Sequence, residues 1–241
     1  MDANSSSFKQ ELSLGRRFAE AVAVALAVSV VYFGTGTRMM PSAEPFVLPV
    51  DRWVPFVPET VWMYMPGYAA CFLVTLWVVR DAESFRAALA AFGLLTVLAV
   101  PFFTLLPVAG PRPPAPVDAT LSAQFVRWLY ANDPNVNTFP SLHVANATLC
   151  AVITSHVDRR WGAVVWALAA GICVSVLTLK QHWAADVPAG WALATAGVAA
   201  WRSRSLVPAF RARIAGLLAR DASEPWRALA RRPTDRRRRG W

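Results

Sequence analysis

Six apolar runs constrain this chain more than any other feature: Phe18–Gly36, Val61–Val79, Ala87–Leu106, Val144–Val157, Trp161–Leu179 and His182–Trp201, each followed within two residues by a charge or a proline. Most approach the roughly 20 residues that carry a helix across about 30 Å of hydrocarbon, where every backbone polar group must be satisfied within the segment. Charged residues make up only 16% of the 241-residue chain and hydrophobic ones 56%, whereas soluble globules carry about 25% charge. The predicted class is therefore an all-α integral membrane protein with six transmembrane helices. The first run lacks a small-residue cleavage site and reads as a retained helix. Short interfacial helices are expected in the outer loops. Met40–Pro58 is rich in proline and aromatics, and between residues 107 and 139 Leu121, Phe125 and Leu129 recur at i, i+4 and i+8.

The formal net charge of +9 is accounted for by residues 202–241, where twelve Arg face Asp221, Glu224 and Asp235. The expected organisation is a cytoplasmic segment 1–17, a membrane catalytic domain 18–201 and a basic cytoplasmic tail 202–241. A basic tail that abuts a membrane helix suits anionic lipid better than nucleic acid, so no nucleic-acid partner is expected. With the N-terminus inside, nineteen cations fall on inner segments and five on outer ones. The positive-inside rule then places both termini in the cytoplasm of a multi-pass inner-membrane protein. Cys71, Cys150 and Cys173 all lie in apolar runs, with neither a disulfide framework nor metal-ligand spacing.

Between His143 and His182 the chain makes one apolar hairpin turning at Asp158, Arg159 and Arg160. Both histidines are thereby expected at one membrane face, towards the periplasm or exterior. Asp186 follows His182 by four residues, which on a helix puts carboxylate and imidazole one turn apart. Such a carboxylate fixes the tautomer of His182 and aims its other nitrogen as a nucleophile, while His143 can protonate a departing oxygen. Pro140 and Ser141 stand where the fourth helix should begin, and a helix N-terminus offers N–H groups to a phosphate. Arg112 can fork onto two phosphate oxygens. Lys180 adds a point charge near His182.

Arg112-Pro113, Pro140-Ser141-Leu142-His143 and His182 with Asp186 together resemble the three motifs of the type 2 phosphatidic acid phosphatase superfamily. The variants FPSLH, LLPVAGPR and TLKQH are most similar to its inositolphosphotransferase branch, the relatives of inositol phosphorylceramide synthase. The resemblance implies a six-helix fold, a phosphohistidine on His182, His143 as acid and base, and no metal or other cofactor. Its substrate would be a lipid phosphate or phosphodiester at the outer leaflet, with water or an alcohol as acceptor. Three positions depart from the pattern: Leu105 and Val176 replace expected cations, and Leu142 replaces a glycine. Lys180 is the residue expected to substitute for one of those cations. The alternative is a catalytically inactive scaffold or lipid-binding protein of the same fold.

Overall fold

The computed structural model describes residues 11–39, 44–45 and 47–203. The basic tail after 203 lies outside the described residues, as do residues 1–10. Seven α-helices form among the described residues: α1 (Leu14–Met39), α2 (Tyr68–Val78), α3 (Ala82–Leu105), α4 (Leu121–Asn132), α5 (Leu142–Val157), α6 (Arg159–Thr178) and α7 (Asp186–Arg202). Two two-residue strands, β1 (Glu44–Pro45) and β2 (Val108–Ala109), pair in parallel. Among the described residues, four helical segments are long and apolar enough to cross a membrane: Leu14–Arg38, Pro58–Val78, Ala82–Leu105 and Arg159–Thr178.

The segment Pro58–Val78 is not one regular helix. A 3-10 turn at Pro58–Thr60 and a π-helical turn at Met63–Gly67 precede α2, and Pro66 sits inside the π turn. Proline has no N–H to donate and crowds the preceding carbonyl, and a widened turn absorbs both defects. The turn carries Tyr64 and leads directly into Tyr68, both of which reach the site described below.

α5 is the hub. It has 16 residues, about 24 Å at 1.5 Å per residue, short of a full hydrocarbon crossing. Its neighbours are α2, α3, α6 and α7, so its Val144, Ala147, Leu149, Cys150 and Ile153 are buried in protein. A helix enclosed by other helices has no need to match the bilayer.

The junctions are fixed by side chains that close helix ends. Asp81 accepts from Ser84 N to cap α3, Thr120 accepts from Ala123 N to cap α4, and Asp158 accepts from Arg160 N and Trp161 N to cap α6. Buried Arg17 donates to the carbonyls of Leu76, Trp77 and Val79, closing the C-terminus of α2. Glu20 pairs with Arg86 at 2.8 Å, tying α1 to α3.

α4 forms where the Leu121, Phe125, Leu129 periodicity put a helix; its residues buried in protein are Ser122, Ala123, Val126 and Leu129, and Leu121 is 71% exposed. One expectation changes in detail. The last helix starts at Asp186, not His182. After Leu179 the chain closes α6 with Lys180 N donating to Leu177 O at 3.0 Å and Gln181 N to Val176 O at 3.1 Å, while Lys180 takes a φ of 56°. This is the paired bonding of a left-handed helix stop, a place usually held by glycine. His182 therefore stands in the turn between α6 and α7.

Candidate functional site

The turn that ends α6 delivers His182 to polar partners at both ring nitrogens. Its Nδ1 lies 2.9 Å from Thr138 O and 3.0 Å from Asp186 Oδ2. A carbonyl oxygen and a carboxylate oxygen are both acceptors, so Nδ1 carries the hydrogen and Nε2 is left with its lone pair. Asp186 Oδ2 also accepts from Trp183 N at 3.0 Å, which closes the first turn of α7 back over the histidine. Asp186 is fully buried and His182 only 6% exposed.

Ser141 meets the other side of the ring. Its Oγ is 3.3 Å from His182 Nε2 and accepts from Val144 N at 3.4 Å, while its own backbone N donates to Asp186 O at 3.3 Å. The start of α5 is thus locked to the start of α7. The contact is close because α7 carries Gly190 there: a Cβ at that position would stand 2.7 Å from Ser141 O and 2.9 Å from Val144 Cβ.

His143, in the first turn of α5, has its ring centre 6.0 Å from that of His182, with the planes at 69°. Tyr64 stacks on it at 4.3 Å and Tyr68 leans on it at 4.5 Å. The Tyr64 hydroxyl is 3.5 Å from His143 Nδ1. The two tyrosines restrict how the imidazole can turn.

Arg112 lies in the loop between β2 and α4. Its Nη1 donates to Asp133 O at 2.8 Å, its Nη2 to Asp133 Oδ2 at 2.9 Å and to Gln181 Oε1, and its Nε to Gln181 Oε1 at 3.1 Å. Its guanidinium also lies 4.9 Å from the centre of the Tyr130 ring. Burial pushes the Asp133 carboxyl above the ordinary aspartate range, although Arg112 and His182 pull it down. Arg112, Asp133, Gln181, Tyr64 and His182 line one small cavity. The expected phosphate fork is thus beside His182, with its donors turned to groups of the chain itself.

Lys180 is not brought into that cavity. Its Nζ donates to Val54 O at 2.6 Å and to Asp51 O at 3.4 Å, fastening the loop that precedes Pro58. Asp51 Oδ1 in turn accepts from Ala184 N at 2.7 Å, holding the His182 turn from outside. His156, at the far end of α5, lies 5.1 Å from the Trp201 ring and takes no part. Among the described residues, no group of three or more His, Cys, Asp or Glu side chains could hold a metal ion.

Thr138, Asp133, Gln181 and the tyrosine pair escaped the sequence reading. Asp133 sits in Asn132-Asp133-Pro134-Asn135, which reads as an ordinary turn. Thr138 acts through its backbone carbonyl, which no side-chain pattern reveals. Tyr64 had a faint signal, an aromatic two residues before a proline inside an apolar run.

Compared with known proteins, residues 59–200 match the family model described as the PAP2 superfamily. No curated protein and no solved structure matches the chain.

Proposed function

Because the chain belongs to the PAP2 superfamily of membrane phosphatases and phosphotransferases, we propose that it transfers a phosphoryl group, or a phosphoryl-headgroup unit, from a lipid phosphate through a covalent adduct on His182. The observation that carries this reading is the environment of His182: two acceptors on Nδ1 leave the lone pair on Nε2, which meets the Ser141 hydroxyl beside His143 and Arg112.

In the first step the Nε2 lone pair attacks phosphorus. The bond from phosphorus to the leaving oxygen breaks, and protonated His143 gives its proton to that oxygen. Asp186 and Thr138 O keep the Nδ1 hydrogen in place and stabilise the positive ring as its charge develops. In the second step neutral His143 takes the proton of the acceptor hydroxyl, whose oxygen attacks phosphorus and expels His182. The N–P bond breaks and the ring returns to its starting tautomer. Arg112 neutralises the phosphate oxygens once they compete with Asp133 and Gln181 for its donors, and Ser141 Oγ–H turns from Nε2 to a phosphate oxygen. Lys180 acts only by fixing the loop at Val54. No step calls for a metal.

Six membrane crossings, with α5 and α7 completing the four long segments, and cytoplasmic termini complete the proposal. Both histidines then face the periplasm or exterior, at the outer leaflet of the inner membrane, as the distribution of cations favours. Within the family, the motif variants favour an alcohol acceptor of the inositol type over water. Incubation of purified protein with a ³²P-labelled lipid phosphate, with and without inositol or other alcohols, tests this. Acid-labile, base-stable label on the protein, absent in His182→Ala, is expected. Release of inorganic phosphate alone whatever alcohol is present would exclude the transferase version.

A second reading is an inactive lipid-binding relative, favoured by the engagement of Arg112 with Asp133 and Gln181. Turnover that survives in His182→Ala would leave only that reading.

A further inference from the structure

α1 packs along α3 and is tied to the rest of the bundle near both ends. At one end Glu20 holds Arg86 and Arg17 caps α2. At the other, the Tyr32 hydroxyl lies 3.4 Å from Asp133 Oδ1 and Asn137 Nδ2 donates to Tyr32 O at 2.7 Å. Between these ties lie two cavities, of about 340 and 330 Å³. They share Val28, Ser29, Tyr68 and Asn146, so they adjoin along α1, and we treat them as one groove. His143 lines its upper part, and Phe18 lies at its far end. From Phe18 to Tyr32 is about 21 Å of helix at 1.5 Å per residue, more than the half-thickness of a hydrocarbon core of about 30 Å.

The atoms lining an apolar groove of this size lack contacts until something apolar fills it. The groove begins at the proposed phosphoryl-transfer histidine and is walled by Val22, Ala25, Phe72 and Phe92, which suits a hydrocarbon chain. Ser29, Tyr68, Thr75 and Asn146 are the polar side chains in that wall, and of these Asn146 has a buried atom left unpaired. Asn146 is only 7% exposed, and its Nδ2 donates to Tyr68 Oη at 2.9 Å. Its Oδ1 is buried without a hydrogen-bond partner. A buried acceptor left unpaired is costly, and a bound ligand that supplies a donor removes the cost.

We infer that this groove binds the chain of a lipid phosphate whose backbone carries a hydrogen-bond donor, a hydroxyl or an amide N–H, and that Asn146 Oδ1 accepts that hydrogen. Asn146 follows His143 by three residues, about 4.5 Å along the axis. The donor therefore belongs to the lipid backbone, near the phosphoester, when phosphorus is at the histidines. The inference rests on the phosphoryl-transfer reading for the orientation of the lipid, not for the existence of the groove.

The test uses two probes that differ by one hydrogen-bond donor: monoacylglycerol phosphate with a diazirine on its acyl chain, and its 2-O-methyl ether. Photolysis with the full-length protein in detergent, followed by peptide mass spectrometry, is expected to label residues 22–29 and 89–92. The free-hydroxyl lipid should compete about tenfold better than the ether, the effect of one buried hydrogen bond. In Asn146→Leu that preference should fall below about twofold while labelling persists. If Asn146→Leu does not fold, the preference of the wild-type protein decides alone. Label confined to residues outside the groove, or equal competition by the two lipids, would overturn the inference. Groove labelling without turnover would support this site and sink the phosphoryl-transfer reading; turnover with label elsewhere would do the reverse.

Discussion

His182 Nδ1 and Asp186 Oδ2 are 3.0 Å apart across a helix boundary, with the histidine in a turn and the aspartate as the first residue of α7. The pairing is therefore not that of two side chains on one helix. It depends on the left-handed stop at Lys180, which ends α6 early enough for His182 to fold back over Asp186. The same carboxylate oxygen accepts from Trp183 N, so one atom orders both the imidazole and the backbone that carries it.

Asp186→Asn tests what that oxygen does. An amide can turn its NH₂ towards Nδ1 and force the hydrogen onto Nε2, which removes the nucleophilic lone pair. Turnover of a lipid phosphate should fall by about 10²–10⁴-fold with the thermal midpoint in detergent nearly kept. Asp186→Asn with unchanged turnover would show that the tautomer is not controlled from this side.

For His143 the decisive variable is the leaving group. A general acid matters most when the departing oxygen is basic and least when it is already stable as an anion. His143→Gln should therefore lose about 10²–10⁴-fold on an alkyl lipid phosphate but much less on a nitrophenyl phosphate ester, compared in parallel assays. Equal losses on both substrates would assign His143 a positioning role held by Tyr64 and Tyr68.

How the chain reads from sequence varies by scale. The apolar runs announced a helical membrane protein, and the hairpin turning at Asp158 brought His143 and His182 to one end of the bundle, because helix length follows directly from counting residues. The start of α7 was misplaced because the stop at Lys180 is made by a non-glycine residue at positive φ, which no propensity rule anticipates. The α4 helix is legible from the Leu121, Phe125, Leu129 spacing, whereas which of its residues are covered depends on what it packs against. Arg112 was legible as a cation. Its partners Asp133 and Gln181, 21 and 69 residues away, are long-range pairings visible only in three dimensions.

Asp133 gives a pH signature. Burial raises its carboxyl above the usual value near 3.9, so the folded protein holds its proton more tightly than the unfolded chain does. The contribution to stability is fully present below the unfolded pKa and is lost as pH rises through the folded one. Asp133→Asn cannot ionise and keeps an oxygen for Arg112. Its thermal midpoint should gain on the wild type as pH increases across that window, followed by scanning calorimetry or intrinsic fluorescence. A constant difference between the two proteins at all pH values would show that the carboxyl is not raised.

Gly190 sets how closely the two halves of the site meet. A methyl group at this position would press on Ser141 O at 2.7 Å and Val144 Cβ at 2.9 Å, distances at which backbone and a β-branched side chain must give way. α7 would be displaced from α5, stretching the bond from Ser141 N to Asp186 O and moving the carboxylate relative to His182. Overpacking of this kind costs about 1–3 kcal/mol. Gly190→Ala should lower the thermal midpoint and reduce turnover together, because the same displacement loosens the packing and spoils the alignment of the nucleophile. Gly190→Ala with a normal midpoint and normal turnover would mean that α5 and α7 tolerate a wider spacing, and that Ser141 is not held to His182 by this contact.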